Sequence, residues 1–293
     1  MDPKTLSSLE YRKIQDMLAK EADSPLGRDR ALSSFPGTVA MARELQLLGR
    51  ELMEVLSRTS SPSLSGVTDV RQKVNAAAQG ITLSAEDLWR ILGTLVSSEN
   101  VHKWLDELGE GHRELSRVKA SLPKMPSLRG RLYQTVDEGG AVKDTASPAL
   151  SSIRRQLRDF MERIRKRAEE LVRRKDLAQY LQEPIGLVHD QSASGQTLFI
   201  EPQEILEMAN NLRRLELMER DEIERVLAEV SAQVGEVAGL IERGVEALSD
   251  FDLALAKARL AFRWRGAFPR LSDETALHLH SAWHPLLKGD PVP

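Results

Sequence analysis

A mainly α-helical fold is predicted here: a helical core with an inserted arm of two long antiparallel helices bearing a small β tip. Three features of the sequence predict it. Apolar residues recur every three or four positions over long stretches on both sides of residues 186–202. The intervening stretch reads as two short strands, Gly186 to His189 and Gln196 to Glu201, joined by the small turn-forming run Asp190 to Gly195. Charged residues make up 29% of the chain and aromatics only 4%, a composition suited to long, partly exposed helices.

The first helix is expected over residues 6–22, with Ser7 and Glu10 spaced as a capping box and Leu6, Leu9, Ile14, Met17 and Leu18 as its stripe. Ser24 to Gly27 reads as an interruption and Ser33 to Gly37 as a firmer break. A second helix, residues 39–57, aligns Leu45, Leu48, Leu52, Val55 and Leu56. After a Ser/Pro linker, residues 69–78 form a short helix. Ser84 then caps another, with Asp87 three positions on, which extends past Trp104 to Leu108. Breakers crowd residues 109–147, leaving room for short helices.

Ser147 and Pro148 supply an N-cap and a first-turn proline. From there Leu150, Ile153, Leu157, Phe160, Ile164, Ala168 and Leu171 mark a helix ending near Pro184. At 1.5 Å per residue its roughly 35 residues span about 50 Å, and a helix so long needs a partner along its seam. Residues 203–243, entered through Pro202 as a first-turn proline, supply that partner, with Ile205, Met208, Leu212, Leu215, Val226 and Val230 on one stripe and Gly235, Gly239 and Gly244 loosening its end. Asp250 opens a last helix, acidic early and basic late, that Gly266 stops. Thr275 to Ala282 alternates like a strand.

The chain of 293 residues is long enough to bury a sizeable core. It has no cysteine, which excludes disulfides and cysteine metal sites and suits a reducing cytoplasm. Its opening residues lack the basic and apolar regions of a signal peptide, and no run reaches the roughly 18 apolar residues of a membrane span, so no membrane partner is expected. With a net charge of −3, any nucleic-acid surface must be local.

Between residues 154 and 175 ten bases meet four acids, while residues 203–243 carry ten acids and five bases. This pattern has two readings. The bases contact phosphates, or they face the acidic partner helix as in ordinary coiled-coil pairing. Pairing is the expectation for Arg154 to Arg167, whereas Arg173, Arg174 and Lys175 lie nearest the tip and are candidate nucleic-acid contacts. His278, His280 and His284 resemble a metal cluster, but no carboxylate completes a zinc spacing and no metal is expected. His189 and Asp190 stand near Ser192 and Ser194, yet neighbours on a strand point to opposite faces, which argues against a hydrolytic triad. No glycine-rich loop followed by Lys-Ser/Thr occurs, so no P-loop nucleotide site is expected, nor a catalytic residue.

The run VHDQSASGQTLFIEP from Val188 to Pro202 resembles the signature of the MutS family, in particular its second bacterial paralogue. Asn210 to Leu227, Leu9 to Ile14, Asp250 to Arg259 and Trp283 to Leu287 agree with it, so the resemblance covers essentially the whole chain. It implies a core (lever) of residues 1–147 plus 245–272. Inserted in it would be a clamp arm of residues 148–244: helix 148–182, β tip 185–201 and helix 203–243. Residues 273–293 would then begin a truncated ATPase domain.

The resemblance also implies a homodimer whose clamps close around branched or duplex DNA. ATP with Mg would drive them in a domain outside this chain, and a nuclease domain would suppress homologous recombination. Alternative expectations are a ribosome- or rRNA-binding arm of a factor that splits collided ribosomes, and a purely structural dimerisation scaffold. At the tip, His189, Ser192, Ser194 and Gln196 join Arg173, Arg174 and Lys175 as candidate contacts. One departure is visible: roughly twenty residues with another clamp strand would be expected after Ile185, which here runs directly into Gly186.

Overall fold

The computed structural model describes residues 3–35, 37–173, 186–191, 198–272, 278–280 and 282–287. The described residues are mainly helical, as predicted, with one two-stranded antiparallel ladder.

The chain opens with α1 (Pro3–Ser8) and α2 (Tyr11–Ala19). The single helix expected over residues 6–22 is broken, because Glu10 takes a left-handed conformation at φ 50°. The turn lets α2 dock against Ser34: Tyr11 Oη and Gln15 Nε2 both donate to the Ser34 carbonyl, at 3.1 and 2.8 Å. Ser24 to Gly27 is a helix start rather than an interruption. The Ser24 side chain accepts from Gly27 N–H at 2.9 Å, and Pro25 occupies the first turn of α3 (Pro25–Leu32).

The next helices are α4 (Val39–Leu56), α5 (Arg71–Ala78) and α6 (Ala85–Glu107). Ser84 caps α6 by accepting from Asp87 N–H at 3.1 Å, as its spacing predicts. Then come α7 (Arg113–Ser121) and α8 (Pro126–Thr135). No side chain next to α7 caps it; instead Glu51 of α4 accepts from the Glu114 and Leu115 N–H groups at 2.9 Å, setting a carboxylate at a positive helix end.

The arm comprises α9 (Pro148–Arg173), β1 (Gly186–Gln191), β2 (Leu198–Pro202) and α10 (Gln203–Glu236). Pro202 pairs with Gly186 at the end of the ladder, so it closes β2 rather than opening α10, and α10 begins one residue later. The ladder slips between Val188 and Asp190, leaving His189 without a registered partner and interrupting simple strand alternation there.

The helix expected over residues 203–243 ends at Glu236. After Val237 (φ −114°, ψ 16°), α11 runs unbroken from Ala238 to Arg263, so Asp250 lies inside a helix instead of starting one. Gly235, read as loosening the helix, is a packing contact. A Cβ there would lie 2.6 Å from the Ala77 carbonyl oxygen, so α10 crosses α5 at a distance only glycine permits. At the far end, Gly266 N–H bonds to the Ala261 carbonyl (2.8 Å) and Arg265 N–H to that of Phe262 (3.1 Å), a Schellman stop. The left-handed residue in it is Arg265 (φ 50°), not Gly266. Of the expected strand Thr275 to Ala282, residues 275–277 and 281 lie outside the described residues, and residues 278–280 and 282 are not strand.

Three apolar clusters fill the interior. The largest joins α5, α6 and α8 to Leu150 of α9, Val226, Val230 and Val234 of α10, and Ile241 of α11. The second gathers Leu52 and Val55 of α4, Trp104 of α6, Leu115 of α7, and Leu248, Phe251 and Leu255 of α11. The third packs α2 and α3 on Ala256 and Leu260. α11 contributes to all three.

Candidate nucleic-acid interface

The arm is built from the core outward. Leu150, Ile153 and Leu157 of α9 are buried, as are Val226, Val230 and Val234 of α10. Farther out Phe160 and Ile164 of α9 and Leu212 and Leu215 of α10 are only half-buried.

Polar groups pin the root. Ser147 Oγ accepts from Leu150 N–H (3.0 Å) as the cap of α9 and donates to Glu222 of α10 (2.6 Å). Glu222 also receives Arg225 at 2.7 Å, and these two partners, Arg225 first, hold its carboxyl at about 2, well below its ordinary 4.5. Arg154 bridges Asp144 (2.7 Å) and Glu219 of α10 (2.6 Å). Its guanidinium depresses the Asp144 carboxyl. Arg131 of α8 reaches Glu229 at 3.0 Å. Sequence reasoning missed this root network, apart from the Ser147 cap; nothing in the spacing of residues 131, 144, 219 and 222 brings them together.

The bases of α9 do not all turn to their acidic neighbour. Arg154 makes an ion pair from α9 to α10. Arg165, Lys166 and Arg167 pair within α9, with Glu169, Glu162 and Glu170, and Arg158 reaches Asp144. Arg213, Arg220 and Arg225 pair within α10. The expectation of cross-helix charge pairing for Arg154 to Arg167 therefore holds at Arg154, whereas Arg158, Arg165 and Lys166 take other partners. Arg155, Arg158, Arg163, Arg165 and Lys166 are exposed, and Arg155 has no ion-pair partner among the described residues. The helical wheel carries this signal: Arg155 and Lys166 lie opposite the stripe of Ile153, Leu157 and Ile164.

Ion pairs at such exposure contribute little to stability, so the guanidinium and ammonium groups can exchange their own carboxylates for external phosphates at small cost. From Arg155 to Lys166 the arrangement offers a basic face about 17 Å long at 1.5 Å per residue. Of the candidate contacts, Arg173 closes the described part of α9, and its side chain lies outside the described residues, as do Arg174, Lys175, Ser192, Ser194 and Gln196 altogether. His189 is placed only as backbone in β1. His278, His280 and His284 are exposed, and the described residues hold no group of three potential metal ligands. Among the described residues no helix is long and apolar enough to cross a membrane.

No family model matches the chain. Curated relatives do. A protein of Symbiobacterium thermophilum is 37% identical and one of Pelotomaculum thermopropionicum 34%, each over the whole of this chain. One of Geobacillus thermodenitrificans is 34% identical over 99% of it. All three are named endonuclease MutS2, and the chain spans 40% of the length of each. The first two alignments run over 315 and 318 positions, more than this chain's 293 residues, so these relatives carry stretches with no counterpart here. With identity of this order along its full length, this chain is homologous to part of the proteins named MutS2.

Proposed function

We propose that this chain is the non-catalytic, DNA-embracing lever and clamp region of a MutS2-type protein, in which α9, β1, β2 and α10 form the clamp. The observation that carries the reading is the solvent-facing row of bases on α9, held by weak pairs within the helix rather than by α10. The name endonuclease, borne by the relatives, favours a nucleic-acid partner. Contact would be made to phosphates, which position a duplex or branched DNA without reading its bases. In the whole protein, ATP with Mg would drive two such clamps of a homodimer to open and close, and the outcome would be suppression of recombination.

The test is fluorescence anisotropy with duplex and four-way-junction DNA over a range of salt. Binding weakens as salt rises, and removing one phosphate-binding cation lowers the slope of log K against log salt by about 0.9. Changing Arg155, Arg158, Arg165 and Lys166 to Ala flattens it by about 3.6. A second variant, with Arg173, Arg174 and Lys175 changed to Ala, tests the end of α9 nearer the tip. Unaltered binding by both would remove the proposed face. Tighter binding to purified ribosomes than to junction DNA at matched salt would replace DNA by the ribosome as the partner.

A further inference from the structure

A groove of about 1120 Å³ lies between α4, α7 and α11. Its apolar side is formed by Leu45 and Leu48 of α4, Val118 of α7, and Phe251, Leu253 and Ala254 of α11. α4 carries one continuous apolar stripe, Met41, Leu45, Leu48, Leu52 and Val55. The inner end is sealed in the core, with Leu52 0% and Val55 4% exposed, whereas Met41 and Leu45 are 56% and 50% exposed. The stripe thus runs beyond the core and overhangs the groove.

The polar wall is one face of α11, and its charges are unequally satisfied. Glu246 is held by Arg30 and Arg71, Asp250 by Arg30 at 3.0 Å, and Glu242 by Asn75 Nδ2 at 2.5 Å. Arg243, which lines the same groove, has no ion-pair partner among the described residues, and Lys257 feels the Asp250 carboxylate only from beyond ion-pair distance. The groove's acids are engaged first by Arg30, Arg71 and Asn75, which leaves Arg243, and in part Lys257, to be met by carboxylates set beside apolar side chains.

Its length favours an extended occupant. From Gly239 to Lys257 the lining follows about five turns of α11, roughly 27 Å. We propose that this groove is the docking site of an amphipathic helix whose apolar residues, spaced three and four apart, cover Leu45 and Leu48 and whose carboxylates pair with Arg243 and Lys257. This is the helix-in-groove mode of recognition, with charge selecting the partner. Burial already disfavours the charge on the Lys257 amine, and an incoming carboxylate would restore it.

The probe is a synthetic, fluorescein-labelled amphipathic helix of about 18 residues, the length of the groove, with leucines on one face and glutamates flanking them. Its control carries lysines in place of the glutamates. Titrated with the full chain, the glutamate peptide binds at least about tenfold more tightly than the lysine peptide. Arg243→Glu with Lys257→Glu reverses that order, and Leu45→Asp, on an exposed position, weakens the glutamate peptide at least about tenfold. Lys257→Gln, which adds no negative charge, abolishes part of the preference and serves if the double variant is misfolded by circular dichroism. Equal affinity for the two peptides, or binding indifferent to Leu45→Asp, overturns the proposal. So does self-association of the chain in sedimentation that Leu45→Asp abolishes, which would give the groove to a second copy.

Discussion

Asp252 offers a prediction whose magnitude can be worked from contacts. The residue is 0% exposed on α11, and its carboxylate accepts from Asp23 N–H at 3.0 Å, Ser24 N–H at 2.8 Å and Ser24 Oγ–H at 2.6 Å. Ser24 Oγ in turn accepts from Gly27 N–H, so one carboxylate secures the start of α3. Asp252→Ala strands these donors in or near the interior. At about 1.5–3 kcal/mol for each charged hydrogen bond, offset by the desolvation no longer required, the expected loss is about 3–5 kcal/mol.

Gly27 belongs to the same device. A Cβ there would lie 2.1 Å from Asp252 Oδ2, so Gly27→Ala must displace the carboxylate and costs about 2–3 kcal/mol. Gly27 sits inside α3, where alanine is otherwise better by about 1 kcal/mol. In the Asp252→Ala background the contacts with Oδ2 and Cγ are gone and only the 3.0 Å approach to the Cβ of residue 252 remains, so the cost of Gly27→Ala there falls to near zero. Urea denaturation of the four proteins, followed by far-UV circular dichroism, measures the coupling, expected at about 2–4 kcal/mol. If Gly27→Ala costs the same in both backgrounds, the carboxylate is not what excludes a side chain at residue 27.

Two further expectations concern the root of the arm and the stop of α11. Because Glu222 titrates at about 2 rather than at 4.5, its ionised form stabilises the fold above about pH 4.5, and that contribution is lost as pH falls toward 2. Glu222→Gln should therefore lower the melting temperature at neutral pH and converge on the parent near about pH 2, which paired thermal melts will show. Arg265→Gly relieves a side chain at φ 50° and should raise stability by about 0.5–1 kcal/mol in the same urea assay; a loss would mean that the Arg265 side chain contributes more than its backbone conformation costs.

Much of the architecture was legible where local chemistry and tertiary packing agree. Ser84 with Asp87, and Ser147 with Pro148, announce helices that begin where expected, and the stripes of α9 and α10 meet as their periodicity requires. Local signals misled where a distant contact decides. Glu10 turns the chain because α2 must reach Ser34, and Gly235 and Gly244 mark close approaches to Ala77 and Pro123 instead of loose helix ends. The charge pattern misled for a different reason: acids four residues away pair with Arg165 and Lys166, so these two bases do not call on the acids of α10. The row of bases was open to a helical wheel, whereas the root network joins residues up to 98 positions apart and leaves no mark in spacing.

α11 has a mechanical consequence. A single rod of 26 residues, about 39 Å from end to end, is the common wall of three separate hydrophobic interiors. Such a rod cannot roll at one end without shearing the packing at the other. A twist applied at Ala238, next to the base of α10, would therefore arrive at Trp264 with little attenuation, where the chain departs toward residue 272.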